Sequence, residues 1–110
     1  MSTLSQEAID AINTKVVEYD RDAILSQDRY SSIYGNLVKA FTEGADTHNI
    51  SISQEVLENL TLIHTVLLYN ILVTVGNEQF SQFLPIIIFD ILGAVINEPE
   101  MYLPEVPSNL

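Results

Sequence analysis

An all-α fold is the class this sequence predicts: a small four-helix-type bundle, dimeric or of higher order, with an extended, proline-containing C-terminal tail. Three observations point there. Apolar residues recur at spacings of three and four along most of the chain, the signature of helices that bury one face. No two neighbouring strand-like runs are joined by hairpin chemistry. The stretch from Asn70 to Asn97 is so apolar that one small core does not account for it. With 110 residues the chain has the length of one domain. The reading divides it into a helical domain over 1–97 and a tail over 98–110.

Taken in order, Thr3 and Gln6 have the spacing of a capping box. Ile9, Ile12, Val16, Tyr19 and Ala23 follow as one stripe of a first helix. The polar run SQDRYSS interrupts it, with Ser26 or Asp28 as the next cap. Tyr30, Ile33, Tyr34, Leu37, Val38 and Phe41 form a second stripe, which the spacing ends at Gly44. GADTHNIS reads as a loop. Ser51 or Ser53 starts a third helix, apolar from Val56 to Val75 over much of its circumference and closed by Gly76. Leu62, Val66 and Val73 widen its face beyond what one core needs, so they are the expected self-association residues.

Asn77 or Ser81 opens the last helical segment, with Pro85 placed in the first turn of a helix starting near Leu84. The run IIIF favours a strand by propensity alone, but nothing nearby could pair with it. Prolines 99, 104 and 107 make the tail extended, and Tyr102 and Leu103 are its docking residues, for a partner or a second subunit. A bilayer span takes about 20 apolar residues. Leu60–Val75 and Phe83–Ile96 are shorter, contain His64, Asn70 and Asp90, and lack flanking bases, so no membrane association is expected.

Charge bounds the partner. The net charge is −11, and all four bases, Lys15, Arg21, Arg29 and Lys39, precede residue 40. Nucleic acid is excluded as a partner because phosphate binding requires clustered lysines and arginines. Anionic membrane surfaces are disfavoured for the same reason. A basic protein is the natural complement. The run EYDRDAILSQDRY supplies a candidate surface for it: Glu18, Asp20, Asp22 and Asp28, interleaved with Tyr19 and Tyr30. Helical spacing would put Glu18 and Asp22 on one side.

Catalytic chemistry finds no support. The chain has no cysteine, no Gly-rich phosphate loop and no nucleophile elbow. His64 on an apolar stripe reads as a hydrogen-bonded core histidine. Asp46 with His48 is too few ligands for a metal, and Glu55 with Glu58 lacks the Glu-x-x-His spacing of carboxylate metal bundles. Those two glutamates read as first-turn acids. Asp90 is expected on an exposed seam between helices. The sequons at Asn49 and Asn59 matter only on a secretory route, and the N-terminus has no signal-peptide pattern.

The expectation is therefore a non-enzymatic, cytoplasmic protein with no cofactor or metal. It would bind a basic or hydrophobic protein partner and associate with itself. Its most concrete form is a small inhibitor of the immunity-protein or phage-antagonist kind that occludes a basic protein. The alternative is a structural or chaperone-like subunit that packs its apolar helices against another protein.

Overall fold

The computed structural model describes residues 2–98 and 103–107. It is all-α, with five helices: α1 Gln6–Val16, α2 Arg21–Leu25, α3 Asp28–Thr47, α4 Gln54–Val75 and α5 Asn77–Asn97. Two-residue segments, β1 (Ser2–Thr3) and β2 (Ile50–Ser51), pair in parallel and pin the N-terminus to the α3–α4 connection.

Local chemistry explains where the helices start. Ser5, not Thr3, caps α1, its Oγ accepting the Ala8 N–H at 3.1 Å. Asp20 caps α2 through Ala23 N–H at 3.1 Å. Ser53 caps α4 through Val56 N–H at 3.3 Å. Ser53→Ala leaves that donor to solvent, and chemical denaturation is expected to show a loss of about 1 kcal/mol.

The stripe first read as one helix is broken between Val16 and Arg21. Glu18 and Asp22 therefore lie on different elements rather than one turn apart on the same one.

Two further helix boundaries differ from the sequence reading. α3 runs through Gly44 to Thr47, and Asn49, with φ 55, turns the chain into β2. Gly44 is a point of close approach instead of a stop: a Cβ there would lie 2.6 Å from Ile88 Cγ2 of α5. Pro85 lies inside α5, far from its first turn. It cannot donate to the Ser81 carbonyl, but both residues are exposed, so water can take that place. Gly76 is the bend between α4 and α5 as expected, at φ 89, a conformation that side chains rarely adopt.

The helices share one core. α3 and α4 pair most extensively, α1 packs on α4, and α5 lies across α3 and α4. Leu37 and Phe41 of α3, Leu60, Ile63 and Leu68 of α4, Ile88 and Leu92 of α5, and Ile12 of α1 belong to one buried cluster, all nearly inaccessible. The first half of α4 is buried nearly all round. Leu62 and Val66 are 0% and 3% exposed. They lie three and seven residues beyond Asn59, which bonds Asn13 of α1 at 3.1 Å. The side that looked spare in sequence is the side α1 covers.

The described part of the tail docks on this same chain. Leu103 is buried and Val106 half-buried, Tyr19 donates its hydroxyl to Pro104 O at 2.9 Å, and Lys15 lies 3.5 Å from Glu105. Pro99 and Tyr102 fall outside the described residues.

Candidate functional site

The acidic surface expected between residues 18 and 30 is only half assembled. Glu18, Asp20, Asp22 and Asp28 are exposed, but the tyrosines meant to serve beside them are not. Tyr19 is 4% exposed. Burial, reinforced by Glu105 and Glu18, pushes its phenol up to about 12, so it remains the donor to Pro104. Tyr30 is 3% exposed and meets Tyr69 of α4 edge-on at 5.4 Å, with the Arg29 guanidinium 4.5 Å from its ring centre. Both tyrosines anchor the core and are lost to recognition. The signal was present in the sequence, because Tyr30 is in register with Leu37 and Phe41.

Local bases further weaken that surface. Lys15 lies 3.3 Å from Glu18, Arg21 reaches Glu58 at 3.9 Å, and Arg29 forks onto Gln27 at 2.8 and 3.1 Å. The first forty residues carry six acids against the four bases, while the rest of the chain carries nine acids and no base. The unbalanced charge sits elsewhere.

Other titratable candidates resolve simply. His64 is fully buried and donates Nδ1–H to Leu60 O at 2.8 Å, and burial lowers its pKa to about 4, so it is a neutral core group. Thr61 and Thr65 beside it are also buried, each donating its hydroxyl to the carbonyl four residues back, Leu57 and Thr61 respectively, at 2.8 Å. No group of three or more potential metal ligands occurs among the described residues. Asp90 is exposed on α5.

The surface that sequence reasoning missed is the outer face of α5. Ile86, Phe89 and Phe83 are 58%, 51% and 48% exposed, and Ile96 lies on the same helix at 37%. Helical spacing places Phe83, Ile86, Asp90 and Gly93 on one side, with Phe89 and Ile96 at its flank. Across the helix, Phe80, Ile88, Ile91, Leu92 and Val95 are buried in the core. Single exposed apolar residues are ordinary, but a row of large ones along one helix is not.

Beside this row lies a groove of about 250 Å³ lined by His48, Ile50, Phe89, Leu92, Gly93 and Ile96. One wall is the His48 imidazole against the Phe89 ring, 4.5 Å between centres. Of the three self-association residues, Leu62 and Val66 are spent inside the core, and only Val73 is exposed, at 64%.

Both α4 and α5 are longer than their apolar runs implied. At 22 and 21 residues they are long and apolar enough to cross a membrane, which corrects the argument from length. Their surroundings differ: 56% of the most apolar stretch of α4 is buried within the protein, against 28% of that of α5.

This is an all-α chain that, among the described residues, exposes a row of large apolar side chains on α5. No protein-family model matches it, and no curated protein or solved structure matches it either.

Proposed function

We propose that this protein is a non-catalytic, acidic protein-binding module whose contact surface is the outer face of α5. The observation that supports this reading is the exposed row Phe83, Ile86 and Phe89 on a helix whose opposite side fills the core. Each side chain is about half exposed, so removing the rest from water is worth on the order of 1 kcal/mol apiece, enough for a few of them together to carry much of an interface. The acidic partner-binding surface moves accordingly from Glu18, Asp20, Asp22 and Asp28 to the region of α5.

The more specific form, a small inhibitor that occludes a basic protein, draws on the net charge of −11. The structural or chaperone-like alternative uses the same apolar face without the charge. Self-association of the bundle could not use Leu62 and Val66, which are buried, and would draw on Val73 or on this face.

A photo-crosslinking amino acid at position 89, compared with one at Val17, tests the assignment. Among the described residues Val17 is the most exposed large apolar one, at 81%, and lies just past the end of α1. In the native host, a discrete crosslinked product is expected from position 89 and none from position 17. Equal products from both positions, or none from 89, would remove α5 as the contact surface.

A further inference from the structure

The occupant of the α5 face can be specified further. We infer that it is a basic amphipathic helix of another protein, an inference that rests on the proposed contact surface. Charge carries it. α5 holds Glu78 and Asp90 and no base, Glu98 caps its end, and nothing after Lys39 in the sequence is Lys or Arg. Asp90 sits within the apolar row, one turn beyond Ile86 and two beyond Phe83. It takes part in none of the ion pairs among the described residues. Any apolar surface that covers the row therefore also covers a carboxylate, which is unfavourable unless a cation meets it.

A second copy of the chain does not supply that cation from the same face. A two-fold pairing of α5 on α5 brings Asp90 towards its own counterpart, with no lysine or arginine on either helix. An anionic bilayer meets the same repulsion. A helix with an apolar stripe edged by lysines or arginines satisfies both needs. The groove beside Phe89 gives that helix a place for one apolar side chain, because Gly93 has no Cβ to fill it.

Defined probes test the inference. Two labelled peptides of equal length are compared by fluorescence anisotropy. Each has a leucine stripe, flanked in one by lysines and in the other by glutamates. The full chain is expected to bind the lysine peptide at least about tenfold more tightly than the glutamate peptide. Asp90→Lys should reduce that preference, while the double variant Ile86→Ser, Phe89→Ser should lose most of the lysine-peptide affinity at unchanged net charge.

If that double variant binds the lysine peptide as well as the parent, bulk charge alone is responsible and the inference fails. Equal binding of both peptides, abolished by the double variant, would retain the contact surface but overturn the basic partner. A parent dimer in sedimentation that the double variant converts to monomer would give the face to a second copy and overturn the inference. Stronger binding to phosphatidylglycerol vesicles than to either peptide would overturn both the inference and the protein-binding reading.

Discussion

Lowering the pH from neutrality to 4 is expected to cost this fold about 3 kcal/mol through His64 alone. His64 is fully buried, with the Phe41 ring centre 6.0 Å from its own. Burial lowers its pKa from 6.5 to about 4, despite the opposing effect of its bond to Leu60. The unfolded chain therefore binds a proton there at a pH where the folded chain does not. The contribution is present in full above pH 6.5, declines as pH falls through that value, and is exhausted below about 4.

Ordinary carboxylates titrate near 4, so the upper part of the window, above about pH 5, isolates the histidine from relief of acidic self-repulsion. Urea unfolding between pH 7 and 5 should show stability falling steadily. His64→Leu should flatten that slope, at a cost of about 1 kcal/mol for the lost bond to the Leu60 carbonyl. An unchanged slope in the variant would mean that the imidazole is protonated or reached by water in the folded state.

Gly44→Val should destabilise the protein by about 3 kcal/mol, more than its surroundings in sequence imply. In an isolated helix, replacing glycine would be neutral or helpful. Here the new Cβ meets Ile88 Cγ2 at 2.6 Å and Leu92 Cδ1 at 3.4 Å. Ile88 is 1% exposed and β-branched, so its methyl cannot rotate away without a costly rotamer or a shift of α5. Ile88→Ala removes that methyl. By itself it should cost about 2–5 kcal/mol as a cavity. Combined with Gly44→Val, the total should fall short of the sum of the single changes by more than about 1 kcal/mol. Simple additivity in thermal or denaturant melts would show that α3 and α5 do not approach at this point.

The sequence by itself determined the helical class, a serine cap at either Ser51 or Ser53, the bend at Gly76 and the core histidine; the structure chose Ser53. Each of these follows from neighbours within a turn or two: apolar spacing, a hydroxyl before a helical run, a glycine between two of them, a histidine in register with leucines. Asp90 was placed on the surface for a similar reason, since an ionised carboxylate without a partner resists burial. Position along the chain does not say which side of an apolar helix another element covers. Leu62 and Val66 looked spare and are covered by α1; Phe83, Ile86 and Phe89 belonged to an equally apolar run and are left bare. Gly44 has the chemistry of a helix stop, but the approach of Ile88 makes it a contact point inside a helix. Tyr19 and Tyr30 lay among acids in sequence, yet the tail and Tyr69 enclose them. Local interactions fix which segments are helical. Which faces meet depends on contacts between residues far apart in the chain, and those decided where the candidate surface lies.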